Sequence, residues 1–409
     1  MQSFALRSWR NNAEESVSYI TLETPCFVKV SARLTFNART CPVKWRKPLH
    51  ADPSPDGTRL LGTSEGGAAI TDSPASGRPR PVTLATVAHH AQVHVSTASR
   101  ALSDDPSGIS TETVRRVREL AAMLGYRRNL GAAGLRTGTS RLIGVLVPRL
   151  TDLALATIYE SIDATAESAG YSTVVANTYD DSEHRRARLN AMLSRQMDGV
   201  IIGDSHIGDT AGYELQSRGV PYVLVMRRLE GHLSVATDDE LGGRLAAQHL
   251  LDLGHKRVGI IAGDLLASTG RERSQGFRRA FEAAGYPVED HYVASTGFGT
   301  AAGRMGGAQL LALPEPPTAI FAVDDLTALG AMGAIRAAGK RLREDVALIG
   351  YNDLVLADNL PIPLTSVRSD LKTMGRLSVE ALLQGIGGKT ASSTLLPPVL
   401  VPRATTVAD

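Results

Sequence analysis

Nowhere in its 409 residues does the chain offer the ~18 to 20 uninterrupted apolar residues that a membrane span requires. Its first residues, MQSFALRSWRNNAEES, lack the apolar core of a secretory signal. Both absences set the expectation of a soluble protein that stays in the cytoplasm and meets no membrane. Cysteine is scarce as well: Cys26 and Cys41 are the only two, and both fall in an atypical N-terminal stretch. Neither a disulfide framework nor a cysteine metal site therefore supports the fold, and a reducing compartment fits. Apolar residues, in contrast, make up 43% of the chain, enough at this length for two or three globular units.

Net charge is also low, +2, but it is unevenly spread. Residues 78–141 hold 10 Lys and Arg against 4 Asp and Glu, residues 142–409 hold 25 against 31, and residues 1–77 hold 9 against 7. A compact basic block joined to an acidic body is what a small module meeting a polyanion, with a second function behind it, requires. Residues 1 to about 80 show no sustained helical or strand period and end in the Gly, Ser and Pro rich TSEGGAAITDSPASGRPRP. They read as a disordered extension or as translation from a start placed too far upstream; a small module around Trp9 and Trp45 is the alternative.

From Thr83 the texture changes. TLATVAHHA opens on an N-cap threonine and spaces Leu84, Val87, Ala88 and Ala91 along one helical face. After a short connection, VHVSTASRAL predicts a second helix, with Ala98 and Leu102 buried and Val95, Ser96, Thr97, Ser99 and Arg100 around them. A third helix starts at the cap Ser110, buries Val114, Val117, Leu120, Ala121 and Leu124, and stops at Gly125. Three short helices over residues 81–127, the first two closely joined, make a helix-turn-helix unit. The short side chains of the second helix let its backbone sit deep in a DNA major groove, where Ser and Thr bond base edges or phosphates and Arg grips guanine or phosphate. A solvated bundle face is the bland alternative, and the concentrated positive charge favours the groove.

Beyond Ser140, RLIGVLV, YSTVVAN, DGVII, PYVLV, RVGIIA, TAIFAV and VALIG are short Val and Ile rich runs separated by helix-length segments. That alternation predicts doubly wound parallel sheets, and residues 141–409 suffice for two lobes. ESAGYSTVV and EAAGYPVED hint at two similarly built halves, or at no more than a Gly-aromatic helix stop in each. Catalytic signatures are missing. GFGTAAG (297–303) has the wrong final spacing for a dinucleotide loop, GDSHIG lacks nucleophile-elbow spacing, and His89, His90 and His94 have no acidic or cysteine partner nearby to suggest a metal. No enzyme, cofactor or metal is expected.

From Val82 onward the chain also resembles the LacI/GalR family of bacterial transcriptional regulators. The resemblance is carried by VTLATVAHHAQVHVSTASRAL, ISTETVRRVRELAAMLGYRRN, LRTGTSRLIGVLVP, LLDLGHKRVGIIAG, RERSQGFRRAFEAAG, PTAIFAVDDLTALGAMGAIRAAG, VALIGYNDL and LTSVRSDLKTMGRLSVEALL, in that order. It implies an all-α helix-turn-helix headpiece, a hinge helix within residues 128–140, and a two-lobed α/β effector domain like that of periplasmic binding proteins. DNA contacts would then come from Thr83, His94, Val95, Ser96, Thr97, Ser99 and Arg100 of the headpiece and from Asn129, Ala132, Leu135 and Arg136 of the hinge, Leu135 being the minor-groove wedge. The effector would meet Asp152, Arg273, Asp324 and Asn352, while Asp325 and Asp353 read as structural caps or turns.

The chain departs from the family pattern at several points. Gln92 replaces the turn glycine, His94 replaces a serine and is a poorer N-cap, and Arg128 replaces a proline. Gly131 and Gly134 cost the hinge helix roughly 1 kcal/mol each relative to alanine, so it should order on DNA. DLAL (152–155) replaces NPFF, removing an aromatic surface that could stack on a sugar and pointing away from a simple sugar. The resulting expectation is a cytoplasmic, nucleoid-associated homodimeric repressor, controlled by a sugar-like or related metabolite, on a near-palindromic double-stranded operator. The absence of a leucine heptad after LVPRATTVAD favours the dimer over a tetramer. A solute-binding protein of the same two-lobed fold is the alternative, but it predicts a secretion signal and no basic headpiece.

Overall fold

The computed structural model describes residues 82–103, 105–127 and 139–407. The expected N-terminal extension, and the hinge with Asn129, Ala132, Leu135 and Arg136, lie outside the described residues.

Helices α1 (Leu84–His90), α2 (Val95–Ala101) and α3 (Thr111–Met123) form the headpiece. Thr83 and Ser110 cap α1 and α3 through their hydroxyls, accepting from Thr86 N at 3.2 Å and Thr113 N at 3.3 Å. His94 also caps: its Nδ1 accepts from Ser96 N at 3.3 Å. The turn before it holds Gln92 at φ 51, a left-handed conformation that favours glycine. Val87, Ala88, Ala98, Ala101 and Val117 make a small core, and alanine at the contacts lets the helix axes approach closely. Leu102, expected inside, is only partly buried, because it is the C-cap residue at the rim. Arg118 ties α3 to the end of α2 by donating to Ala101 O and Ser103 O, both at 3.1 Å.

The first lobe runs β1 (Leu142–Val147), α4 (Leu153–Ser168), β2 (Ser172–Asn177), α5 (Ser182–Leu193), β3 (Gly199–Ile202), α6 (Ala211–Ser217), β4 (Tyr222–Val225) and β5 (Ser234–Thr237). The chain then builds the second lobe from α7 (Asp239–Asp252), β6 (Val258–Ile261), α8 (Ser268–Ala283), β7 (Val293–Ala294), α9 (Thr300–Leu311), β8 (Ala319–Ala322), α10 (Asp325–Ala337), β9 (Ala347–Asn352), α11 (Val355–Asp358) and β10 (Thr365–Arg368). It returns to the first lobe with α12 (Leu371–Ile386) and β11 (Thr394–Leu396), then ends on the second with β12 (Val399–Val401).

Each lobe carries a six-stranded sheet, ordered β11-β5-β4-β3-β1-β2 and β12-β10-β9-β8-β6-β7. All pairings are parallel except β12 on β10. The two orders correspond strand for strand, so the lobes are similarly built. Gly170 and Gly285, at φ 77 and 84, also end α4 and α8 alike: Tyr171 N returns to Ala166 O and Tyr286 N to Phe281 O, both at 2.9 Å.

The inner strands GVII, VGII and AIFA are buried at every residue, as double coverage by helices demands. Helices α7 and α8 touch backbone to backbone: a Cβ on Gly243 would lie 2.0 Å from Arg273 O, and one on Gly276 2.0 Å from Glu240 O. This close approach fixes the segment that carries Arg273.

Candidate nucleic-acid interface and effector cleft

On α2, Ser96 and Arg100 are exposed, Val95 is 43% exposed, and Thr97 and Ser99 are half-buried around the buried Ala98. The face therefore presents short side chains and one long cation. His94 Nδ1 lies 2.8 Å from the Ser96 hydroxyl as well as accepting from its amide. An imidazole that accepts at Nδ1 carries its proton on Nε2, which leaves an N–H donor available at the start of the helix. Thr83, also exposed, uses its hydroxyl on Thr86. The positive charge is sorted by the structure: Arg115 is paired with Glu112 and Glu119, and Arg118 serves the fold. Arg100, Arg116 and Arg127 are exposed, with no ion-pair partner among the described residues.

Between the lobes, at the carboxyl ends of the strands, Asp152, Arg273, Asp324 and Asn352 line one cleft, together with Pro148, Arg149, Asp180, Arg227 and Phe298. This is where open α/β sheets place ligands. The four residues foreseen from sequence thus converge. Asp152 caps α4, its Oδ1 accepting from Ala154 N at 2.9 Å and Leu155 N at 3.4 Å. Asp324 caps α10, accepting from Thr327 N at 2.8 Å and from the Thr327 hydroxyl at 2.5 Å. Burial pushes both carboxyls up, and the negative charge of Asp324 adds to the rise at Asp152 across the cleft. Asn352 is buried at φ 97, a strained backbone for a side chain other than glycine's, at the end of β9.

Arg273 is the central group. Its side chain is 2% exposed, its Nε donates to Asp239 Oδ1 at 2.8 Å, and its Nη1 donates to Val323 O at 2.7 Å. The guanidinium carbon sits 3.7 Å from the centroid of the Tyr351 ring. Its remaining nitrogen, Nη2, has no acceptor among the described residues. A fixed fork with one unused edge at a cleft is suited to a hydroxyl, carbonyl or anionic oxygen.

Sequence reasoning missed several lining groups. Phe298, within the glycine-rich GFGTAAG, brings an aromatic ring into the cleft, with the Arg227 guanidinium 5.6 Å from its centroid. The DLAL loop brings no ring, as its sequence requires, and the aromatic surface in the cleft comes instead from the other lobe. Arg227 also donates to Asp180 Oδ1 at 2.6 Å. Beside them, His206 is pushed down chiefly by burial and next by Arg227, which keeps it neutral near pH 7. Asp180, His206 and Arg227 follow the ends of β2, β3 and β4, which marks their position but not their partners across the cleft, and Phe298 follows β7, too short to show in the sequence.

The cleft is narrow: its cavity is about 40 Å³, well below the ~300 Å³ at the lower end of small-molecule pockets, so a metabolite needs the lobes further apart. A larger groove, about 770 Å³, lies on the second lobe against Leu329, Met332, Ile335 and Leu360; its charged lining is all basic, Arg304, Arg336 and Lys340, without the mix of carboxylates, amide and cation found in the cleft. Asp325 and Asp353 are engaged in structural bonds, Asp325 with Ser366 and Leu354 N, and Asp353 with Arg368 and Arg403. Among the described residues no group of three or more His, Cys, Asp or Glu could hold a metal, and no helix is long and apolar enough to cross a membrane.

Residues 83–129 match the bacterial regulatory proteins of the lacI family, and residues 247–406 match a periplasmic binding protein-like domain. The ribose operon repressor of Haemophilus influenzae is 30% identical over 309 residues, 74% of this chain and 92% of that protein. The transcriptional repressor CytR of Escherichia coli is 30% identical over 314 residues, 76% of this chain and 92% of that protein. Among solved structures, the lac repressor dimer bound to operator and the anti-inducer ONPF superposes with a TM-score of 0.74 at 30% identity, covering 80% of this chain and all of that one.

Proposed function

Because the chain belongs to the lacI family of bacterial regulatory proteins, we propose that it is a homodimeric transcriptional repressor whose grip on DNA is set by a small molecule held between its lobes. It acts in the cytoplasm, on the nucleoid, as a regulator and not as an enzyme. The headpiece of residues 81–127 enters the major groove through α2, so that Val95 and Ser96 face base edges while Thr83, His94, Thr97, Ser99 and Arg100 contact bases or phosphates. Asn129, Ala132, Leu135 and Arg136 of the hinge, residues 128–140, meet the minor groove, where Leu135 wedges a base step. Two protomers read a near-palindrome.

The observation that carries the effector reading is Arg273: a buried guanidinium with two nitrogens committed and one free, at a cleft that also gathers Asp152, Asp324, Asn352 and Phe298. Oxygen-rich ligands with a face for the Phe298 ring fit this set, which favours a polyhydroxylated metabolite or its glycoside. Ligand-driven change in lobe closure then alters operator affinity, with a coupling of typically ~1 to 3 kcal/mol.

Gel shifts on operator fragments recovered by genome-wide mapping test the reading. Arg100→Ala should lose about 1–3 kcal/mol of operator affinity and Leu135→Ala should lose DNA bending; both unchanged would reject the contacts. Arg273→Lys keeps the charge beside Asp239 but not the fork. It should abolish the response to any active member of a panel of pentoses, hexoses, glycosides and nucleosides, leaving basal operator binding intact.

A further inference from the structure

The lobes are also tied together beside the cleft, chiefly by groups that do not line it. Arg228, just beyond β4 in the first lobe, donates from Nε to Glu272 Oε2 on α8 of the second lobe at 2.8 Å. Its backbone N–H donates to Ser268 Oγ, at the start of α8, at 2.9 Å. On the adjacent first-lobe loop, Ile207 N donates to Leu266 O at 2.9 Å, and His206 Nε2 lies 3.3 Å from Asp264 Oδ2. The Glu272 side chain is only 10% exposed against 39% for Arg228, so the acid needs its partner more than the base does. Arg271, on the same helix, lies 3.4 Å from the other oxygen of Glu272 and stays with it whichever way the lobes move.

The neighbour of Arg228 in the chain is Arg227, whose guanidinium reaches Asp180 and Phe298 in the cleft. One short piece of backbone therefore carries both a cleft-facing cation and the tie to the opposite lobe. We propose that Arg228, Glu272 and Ser268 form a clasp that sets the closed fraction of the effector domain before any effector arrives, and that Arg227 couples the clasp to the occupant of the cleft. This rests on reading the cleft as the effector site. Its consequence follows from linkage: if the closed form binds effector, apparent affinity scales with the closed population, so a weaker clasp weakens the response without touching a ligand contact.

Hydrogen exchange on the full-length, effector-free protein tests it, because the amides of Ile207 and Arg228 donate across the lobe boundary. Glu272→Gln and Arg228→Ala should each speed exchange at Ile207, on a loop neither residue belongs to, by about fivefold or more, the lower end of ordinary site-to-site coupling. The inner-strand amides of Ile260 and Phe321 should keep their rates, and the charge-reversed pair Arg228→Glu with Glu272→Arg should restore protection at Ile207. Unchanged exchange at Ile207 in both single variants overturns the clasp. Faster exchange that spreads to Phe321 overturns it too, because it assigns Glu272 to the stability of α8. The measurement needs neither DNA nor metabolite, so failure of operator binding would remove the regulator reading and leave this result standing.

Discussion

Arg185 of the first lobe and Arg273 of the second are both nearly inaccessible and both meet a buried aspartate, Asp204 and Asp239, but they differ in how many of their nitrogens the protein uses. In the first lobe every nitrogen of Arg185 is occupied: Nε by Asp204 Oδ2 at 2.8 Å, Nη1 by Asp209 Oδ2 at 3.1 Å, and Nη2 by Asp204 O at 2.7 Å. In the second, Arg273 meets Asp239 at the same 2.8 Å, but its Nη2 has no acceptor among the described residues at the cleft. Both side chains are nearly inaccessible, 4% and 2% exposed, so burial does not separate them. Saturation does. A guanidinium with all its donors used holds loops together, whereas one with an unused edge at a cavity can bind something that is not protein.

The largest way to sharpen that contrast is Arg185→Ala, which leaves Asp204 buried with its cation gone. Breaking a buried pair from one side costs about 3–5 kcal/mol, enough to lower the thermal midpoint by several degrees. The loss should be fully structural: the folded fraction should still answer effector at the wild-type concentration. Arg273→Lys should do the reverse, with a small thermal effect and a lost response. Equal loss of response in both variants, measured at matched folded fraction, would erase the distinction.

Asp325 sharpens the comparison from the other side, as a buried carboxyl with no ion-pair partner among the described residues. It accepts from the Ser366 hydroxyl at 2.6 Å and from Leu354 N at 2.7 Å, yet burial dominates and pushes it up to about 7 from 3.8. The folded state therefore holds its proton more tightly than the unfolded chain does. The stability this contributes is complete below about pH 4 and is lost as pH rises toward 7, after which the loss levels off. Urea melts from pH 5 to 8 should show this decline in the wild type, and Asp325→Asn should flatten it. A wild-type curve without the decline would place the carboxyl at an ordinary pKa.

Much of this was legible in the chain. The inner strands announce themselves as Val and Ile runs, and the caps at Thr83, Ser110, Asp152 and Asp324 sit where helical periods begin. Less visible were β5, β7, β10, β11 and β12: SVAT, VA, TSVR, TLL and VLV are too short to carry a period, and neighbouring strands, not their own composition, define them. At the cleft the residues tied to local motifs were found, whereas Asp180, His206, Arg227 and Phe298 were not. Their meaning lies in closure of one lobe on the other, a distance in space that no local spacing encodes. Phe298 was further hidden by the glycines around it, which drew notice to a dinucleotide loop. From local pattern alone the difference between Arg185 and Arg273 was out of reach, since HRRARL and RERSQG look alike as helical arginines; only the family resemblance singled out Arg273.

The smallest effect belongs to Arg368, and it tests whether saturation outranks the mere count of ion pairs. Asp353 holds two arginines, Arg403 at Oδ1 and Arg368 at Oδ2, both at 2.7 Å. The two contacts are equally short, but Arg368 is 55% exposed, whereas Arg403 is mostly buried and also donates to Leu364 O at 2.8 Å. Removing Arg368 lets water reach Oδ2 while Oδ1 keeps its cation, so Arg368→Ala should cost under about 1 kcal/mol. Removing Arg403 strips a nearly inaccessible carboxylate of its buried partner and should cost several times more in the same urea melts. If the two alanine variants were to melt alike, contact length would be the better guide to an arginine's role, and the argument that separates Arg273 from Arg185 would lose its footing.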